Sequence, residues 1–287
     1  GPLFAYWVKI SNFRIAILKY SLLVYAAYFS LFFFSHGFLS GVFADLSENY
    51  VSVMMISHVI IIAAIQIKQN EQLSLWPSFL ALLVSLMAMG RSGILCSAII
   101  FTVVAFMQFV KFSKVKRLIV LMTICLICLL GVKKLSERVT YMANGIEVLW
   151  KFQERGLKSP SRGILIDEYF NHIDAKTLLI GYDFEGNHWF QHYGNNPHNS
   201  YIRLHHEIGI VSIFLLLFIL YYLFNAFWQN KVIFFMLFAL ILRALTDTFL
   251  FYGFYDFIPF FLIMLLKRKD SKKTYNNECG KRNSQFI

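Results

Sequence analysis

The chain has 287 residues, of which 58% are hydrophobic, 18% aromatic and only 15% charged. Soluble domains carry about 25% charged residues. This many Phe and Tyr side chains cannot be hidden in one soluble core of this length, so the composition excludes a soluble protein and indicates an integral membrane protein. The formal net charge of +11 is concentrated in short segments beside apolar runs. That pattern favours topology signals and excludes a nucleic-acid-binding module.

Eight apolar runs are predicted to cross the membrane, because a spanning helix needs about 20 mostly apolar residues. The long run 232–266 is interrupted by Gly253, Asp256 and Pro259, and it is therefore divided into two spans. The predicted fold is an all-α, polytopic transmembrane bundle that forms a single membrane domain over 1–287. The eight spans cover residues 15–35, 50–67, 74–90, 92–110, 118–132, 207–228, 232–250 and 252–266.

Two basic segments predict which helix ends face the cytoplasm. KFSKVKR (111–117) contains four Lys or Arg residues, and KRKDSKK (267–273) contains five with one Asp. Short loops rich in Lys and Arg stay on the cytoplasmic side. Residues 267–287 are therefore predicted to form a cytoplasmic tail, whereas Arg91 and the long loop 133–206 fall on the opposite side.

The loop 133–206 is the largest extramembrane region in this topology, and a connection of roughly 70 residues is usually functional. It is nearly neutral, with nine Lys or Arg and eight Asp or Glu residues. Apolar residues at helical spacing predict two helices, at 135–154 and 162–174, that lie on the outer membrane surface and cover a cavity. The segment TLLIGYDFEGN (177–187) is predicted to be rich in turns.

The stretch NNPHNSYIRLHHEIGI (195–210) concentrates titratable groups where the loop meets an apolar run. Pro197 cannot continue a helix, whereas Asn199 and Ser200 are residue types that begin one. His198 is therefore predicted at a helix N-terminus, where free N–H groups and the helix dipole favour phosphate. A histidine there can also exchange a proton near neutral pH.

Helical spacing predicts that His198, His205 and Gly209 share one face. In the alternative interpretation, the histidines of this stretch are only polar residues at the membrane interface. His188 and His192 could bind zinc with His198, but no Cys or carboxylate completes the set. Neither a metal nor any other cofactor is predicted.

Three arginines stand next to apolar residues or at the start of a loop helix. Arg91 lies between two apolar runs, where a charge costs several kcal/mol unless it faces water or an anion. Arg162 begins the second predicted loop helix, and its alternative interpretation is a solvated surface residue. Arg243 and Asp247 are four residues apart in an apolar run, which favours an internal salt bridge or a place in the cavity lining.

A guanidinium group matches phosphate oxygens with two parallel hydrogen bonds. Arg91 and Arg162, together with the helix N-terminus at His198, would therefore form a pyrophosphate clamp. In the alternative interpretation, Arg91 is a boundary residue whose side chain reaches the membrane surface.

Four segments carry a family resemblance. In the first, His198-Asn199 is followed after nine residues by Gly209 and after two more by Ser212. The others are MGRSGILCSAII (89–100), SRGILIDEYFNHID (161–174) with LLIGYDFEGN (178–187), and SGVFADLSEN (40–49). In order and spacing these segments resemble the motifs of the O-antigen ligase and polymerase superfamily, which usually has Gly, Thr or Tyr where this chain has Ser212.

The resemblance implies a C-type glycosyltransferase that uses glycan carried on undecaprenyl pyrophosphate, at the periplasmic side of the bacterial inner membrane. Transfer would invert the anomeric carbon and need no metal. Arg91 and Arg162 would hold the pyrophosphate, and His198 would orient or deprotonate the acceptor hydroxyl. The expected partners are the lipid-linked glycan, the bilayer, and a chain-length regulator and flippase of the same pathway. Further substrate contacts are predicted at Asn199, Arg203, His205, Arg243 and Tyr182.

The acceptor decides between several functions. A polymerase of O-antigen or capsule repeat units is favoured, because the arginine motif is loosely kept and no protein-docking module is evident. The first alternative is an O-antigen ligase that transfers glycan to the lipid A core or to protein. A flippase for lipid-linked oligosaccharide is a second alternative, but the sequence lacks the repeated halves that are common in transporters. A third alternative is a structural subunit of a synthesis complex.

Overall fold

A computed structural model describes residues 1–43, 47–113, 160–251 and 253–266. All regular structure within these ranges is helical, which confirms the predicted all-α class for them. The helices are α1 (Pro2–Ile10), α2 (Ile15–His36), α3 (Asn49–Lys68), α4 (Leu75–Met87), α5 (Arg91–Lys111), α6 (Pro160–Asn171), α7 (Ala175–Ile180), α8 (His188–His192), α9 (Ser200–Ile208), α10 (Val211–Gln229), α11 (Lys231–Ala244) and α12 (Phe257–Leu265).

Three predicted elements lie outside the described residues. They are the span 118–132, the loop helix 135–154 and the tail 267–287.

Helix α3 forms the centre of the bundle. It contacts α2, α4, α5 and α12, and 72% of its most apolar stretch is buried, against 17% in α2 and in α10. A helix that is apolar on all sides is typical of such a buried position. The outer helices instead expose large apolar side chains, such as Phe34 of α2 and Phe214 and Trp228 of α10. Lipid is the surrounding in which faces of this kind are stable.

Four of the described helices, α2, α3, α5 and α10, are long and apolar enough to cross a membrane. The chain is therefore helical and rich in potential spans, but the predicted number of eight is not confirmed. Helices α4, α11 and α12 have 13, 14 and nine residues. A helix that crosses the hydrocarbon core alone needs about 20.

The predicted span 207–228 is divided into two helices by a tight junction. Helix α9 ends at Ile208 and α10 begins at Val211, because Gly209 between them adopts a φ of 53°. A Cβ at this position would also overlap the backbone of Leu179. Only glycine fits both requirements, so the chain turns here instead of continuing as one helix.

The helix predicted over 232–250 ends at Ala244, because the following backbone finds partners in the loop. Ser200 Oγ donates to the carbonyl of Asp247 at 2.7 Å and accepts from the N–H groups of Phe249 and Leu250 at 3.1 and 3.2 Å. Ser200 is fully buried. One hydroxyl thus satisfies non-helical backbone inside the bundle, where no water can replace it. The final predicted span, 252–266, is likewise reduced to α12.

The loop also contains a helix where turns were predicted. Asp174 and Thr177 form a capping box, with two side chain–backbone hydrogen bonds of 2.7 Å, and α7 follows from it. The turn prediction is therefore wrong for Thr177–Ile180, and residues 181–187 are non-helical as predicted. The helix predicted over 162–174 is α6.

Gly93 allows α5 to approach α3 closely, and we expect Gly93→Ala to destabilise the bundle. A Cβ at this position would lie 2.5 Å from Ser52 Cβ and closer still to its hydroxyl. Overpacking of this kind costs about 1–3 kcal/mol, so thermal unfolding in detergent should shift down by several degrees. The matched variant Gly93→Ala/Ser52→Gly removes the overlap. Adding Gly93→Ala to Ser52→Gly should therefore lower the stability less than adding it to the parent protein. An equal loss of stability in both cases would contradict this packing.

Candidate functional site

A cavity of about 170 Å³ lies at the end of the bundle where α3, α5 and α11 meet the loop. Asn49 and Arg91 are the first residues of α3 and α5, while Arg162 belongs to the loop helix α6. A cavity of this size is large enough to hold several water molecules or a small polar group. The cavity is lined by Asn49, Arg91, Ser92, Leu95, Arg162, Leu242 and Thr246.

Helix α5 presents its positive end to this cavity. Its N-cap is Gly90, which provides no side-chain cap, and its first turn contains no acidic residue. Three residues of the first turns, Arg91, Ser92 and Leu95, line the space. The backbone N–H groups at a helix start have no intrahelical acceptor, and together with the helix dipole they favour an anion.

Arg162 interacts electrostatically with three other charged groups. Burial lowers the pKa of the Arg162 guanidinium, Asp247 raises it, and the positive charges of Arg243 and Arg91 lower it further. An arginine remains protonated at neutral pH despite such effects. Three guanidinium groups and one carboxylate therefore act on one another here, and these four groups carry a net positive charge.

Arg243 supports the cavity wall from behind. Its side chain is 1% exposed and donates to Asp247 Oδ2 at 3.1 Å, to the Asn49 carbonyl at 3.2 Å and to Thr246 Oγ1 at 2.9 Å. The internal salt bridge predicted from the spacing of four is therefore present. Asn49 and Thr246 line the cavity, so Arg243 contacts two wall residues without lining the cavity itself. Within the described part of the chain, its Nε has no hydrogen-bond partner.

We expect Arg243→Met to be strongly destabilising, because it leaves the Asp247 carboxylate buried without its ion pair. Breaking a buried pair costs about 3–5 kcal/mol. Replacing both partners, as in Arg243→Met/Asp247→Leu, removes the isolated charge and should recover part of that loss. Chemical or thermal unfolding of the detergent-solubilised variants measures both effects. A double variant that loses the sum of the two single losses would show that the pair is not coupled.

His198 does not line the cavity, but its imidazole is in the electrostatic field of Arg162, which does, and of Asp247. Burial lowers the pKa of the His198 imidazole, Asp247 raises it, and Arg162 lowers it. The ring is therefore neutral at physiological pH, which is the state that can accept a proton. No described residue hydrogen-bonds to either ring nitrogen.

The backbone at His198 is held in a strained conformation. Its φ is 49°, in the left-handed region, which costs on the order of 1 kcal/mol for a residue with a side chain. The His198 N–H donates to Asn196 Oδ1 at 2.9 Å, and the same oxygen accepts from Thr248 Oγ1 at 2.8 Å. The segment after α11 thus fixes the position of the histidine relative to Asp247.

Two other residues predicted to contact substrate have their side chains engaged within α9. Asn199 is buried and caps the helix, with its side-chain oxygen accepting from the N–H groups of Tyr201 and Ile202 at 2.9 and 3.2 Å. Arg203 forms an ion pair with Glu207 at 2.7 Å on the same helix. Neither residue lines the cavity. Their predicted substrate contacts therefore have no support from the geometry.

His205 and Tyr182 pack the loop together. His205 Nε2 lies 3.0 Å from the Leu178 carbonyl and must donate to it, so Nδ1 accepts from the Tyr169 hydroxyl. The Tyr182 hydroxyl accepts from Asn187 Nδ2 at 3.0 Å. Tyr182 packs against a small hydrophobic cluster, and the His205 ring contacts Tyr169 of that cluster, whereas neither Tyr182 nor His205 lines the cavity. The buried members of this cluster are Leu165, Tyr169, Phe184, Phe190 and Ile202.

Three polar cavity residues, Asn49, Ser92 and Thr246, were not predicted as site residues. Asn49 is the last residue of the SGVFADLSEN segment, and Ser92 follows Arg91 directly, so both belonged to segments already singled out. Thr246 stands between Arg243 and Asp247. Its position as a polar residue between two charged residues, within an apolar run, could have identified it as a site residue.

Across the described ranges, no group of three or more His, Cys, Asp or Glu side chains is arranged to hold a metal ion. His188 and His192 both lie on α8.

A wider groove lies at the opposite end of the bundle. Lys68 at the end of α3 donates to the carbonyls of Val8, at 3.3 Å, and Ser11, so its ammonium is engaged by the C-terminal end of α1. The C-terminal ends of α3, α10 and α12 meet at this end, away from the cavity. The polar lining of the groove includes Lys9, Lys68, Asn70, Asn225, Gln229 and Asn230.

Comparison with known proteins gives no relative, since no family model, no curated protein and no solved structure matches the chain. A function can therefore be inferred only from the residues and the geometry described above.

Proposed function

We propose that this chain is a membrane glycosyltransferase that polymerises oligosaccharide repeat units linked to undecaprenyl pyrophosphate, at the periplasmic side of the inner membrane. The observation that carries the proposal is one cavity lined by both Arg91 and Arg162, which are far apart in the sequence. The N-terminus of α5, where Gly90 provides no side-chain cap, adds its dipole to the same space. Two guanidinium groups and a helix N-terminus around one cavity suit a pyrophosphate.

In the proposed reaction, the acceptor hydroxyl oxygen attacks the anomeric carbon of the donor glycan. The new glycosidic bond forms as the bond from that carbon to the pyrophosphate oxygen breaks, with inversion. The hydroxyl proton passes to the neutral imidazole of His198, and the lipid pyrophosphate leaves with an added negative charge. Arg91 and Arg162 stabilise that charge as it develops, which is the contribution that accelerates such a step most.

Purified protein and lipid-linked repeat units in detergent test this proposal. A polymerase produces a ladder of longer glycans on undecaprenyl pyrophosphate, and Arg91→Ala and His198→Ala lose most of it. Elongation in detergent also separates the enzyme from a flippase, because no second compartment is present. Near-normal product lengths in both variants would refute the assignment of the site.

The phenotype of a gene deletion distinguishes polymerase from ligase. Lipopolysaccharide carrying a single repeat, or a lost capsule, indicates that repeat units are no longer joined. Long chains that accumulate on undecaprenyl pyrophosphate indicate instead that finished glycan is no longer transferred, and this result would replace the polymerase by the ligase.

A further inference from the structure

Exposed apolar side chains gather where the loop meets α10. Leu179 and Ile180 at the end of α7 are 58% and 63% exposed, and Val211 and Phe214 at the start of α10 are 57% and 66% exposed. Monomeric proteins in water rarely leave contiguous apolar surface uncovered. We name this surface the loop patch, and it consists of Leu179, Ile180, Ile208, Val211 and Phe214.

The two halves of the loop patch are joined through their backbones. The Ile210 N–H donates to the Leu179 carbonyl at 3.1 Å, and Gly209 lies directly against the same carbonyl. On the other side, His205 donates to the Leu178 carbonyl at 3.0 Å. The C-terminal end of α7 is therefore fixed at the level of the first turn of α10.

The length of α10 indicates what covers the loop patch. Its 19 residues extend about 28 Å at a rise of 1.5 Å per residue, close to the thickness of roughly 30 Å of the hydrocarbon core. Almost the whole helix is needed to cross the core, so Val211 lies at the edge of the hydrocarbon. Because the Ile210 N–H donates to the Leu179 carbonyl, the exposed residues Leu179 and Ile180 lie next to this end of α10.

We propose that Leu179 and Ile180 insert into the lipid leaflet beside the start of α10 and anchor the loop to the bilayer. The polar side of the same short helix fits this placement, because Asp174 caps it and Lys176 is exposed. An interfacial segment typically buries its apolar face at the boundary of headgroups and acyl chains and keeps its charges in the headgroup layer. The anchor would hold the adjoining helix α6, and with it Arg162, at headgroup depth. It does not depend on the reaction proposed above.

Spin labels on single cysteines test the anchor. The four native cysteines are replaced by alanine, and Ile180→Cys, Leu179→Cys, Lys176→Cys and Phe214→Cys are each labelled in nanodiscs of phosphatidylethanolamine and phosphatidylglycerol. Relaxation is measured with oxygen, which partitions into lipid, and with a water-soluble nickel chelate. The labels at 179 and 180 are expected to resemble the lipid-facing label at 214, with nickel accessibility at least threefold below that at 176.

Two results would overturn the proposal. Nickel accessibility at 179 and 180 equal to that at 176 would place α7 in water. Low accessibility to both reagents at 179 and 180 would mean that protein covers the loop patch, either residues 114–159 of this chain or a second copy. Two positions on α7 are labelled so that the test remains valid if one of the variants does not fold. Each labelled protein should elute as a single species in detergent, which establishes that it is folded.

Discussion

Replacing Arg162 with alanine is expected to lower the rate of glycosyl transfer about 100-fold or more while the protein stays folded. The guanidinium group extends from the described part of the loop into the cavity lining, and its charge stabilises the leaving pyrophosphate in the proposed reaction. Removing one donor of this kind costs about 3 kcal/mol of transition-state stabilisation. The initial rate of repeat-unit elongation by purified protein measures the effect.

Two further variants define the origin of that loss. Arg162→Lys keeps the charge but not the planar fork, so its rate should lie between those of Arg162→Ala and the parent. Lys176→Ala removes a positive charge from the same loop, outside the cavity, and should leave the rate nearly unchanged. A rate within twofold of the parent for Arg162→Ala, or an equal loss for Lys176→Ala, would contradict a specific role.

Replacing His198 with glutamine is expected to reduce transfer by about 100-fold to 10,000-fold, the range attributed to a general base. A base must be neutral to accept the proton. Burial holds the pKa of His198 below the usual 6.5, so the parent rate should rise with pH through that lowered pKa and stay flat above it. The rate is therefore expected to fall only when the pH drops below the ordinary pKa of an imidazole.

The pH profile of the variant separates proton transfer from positioning. Glutamine can hydrogen-bond but cannot accept a proton near neutral pH, so His198→Gln should lose the acidic limb as well as most of the rate. If the acidic limb persists unchanged in His198→Gln, another titrating group causes it. Substantial residual activity without the limb would indicate that His198 mainly orients the acceptor.

Uniform apolar runs with polar ends allowed the central helices to be predicted closely. Helices α3 and α5 begin and end within one residue of the spans predicted at 50–67 and 92–110, since Asn49, Lys68, Arg91 and Lys111 mark their limits. Hydropathy alone decides such boundaries, because the helices satisfy their own backbone hydrogen bonds.

Boundaries set by distant partners could not be predicted from local sequence. The end of α11 depends on Ser200, whose hydroxyl accepts from the N–H groups of Phe249 and Leu250. The break at Gly209 depends on the carbonyl of Leu179 in another helix. Both interactions join residues about 30 or more positions apart, beyond any period of a helix or turn.

The candidate site, like the fold, could be predicted from the sequence only in part. Arg91 could be singled out because a charge between two apolar runs is costly without a purpose. Arg162 could be singled out only as the first residue of a predicted loop helix and through the family resemblance. Both line the cavity. Their action on a pyrophosphate stays a prediction. His205 could not be assigned in advance, since its two partners, Tyr169 and Leu178, come from different loop helices. The sequence marked titratable residues, but tertiary contacts decide which of them pack the loop.

Binding of undecaprenyl pyrophosphate to the purified protein is the most direct test of the anion cavity. The account predicts that Arg91→Ala and Arg162→Ala each weaken the affinity about tenfold or more, as loss of a charge-assisted contact to a buried anion should. It also predicts that the double variant loses less than the product of the two single effects, because both arginines hold the same group. Unchanged affinity in both single variants would contradict a pyrophosphate clamp at this cavity.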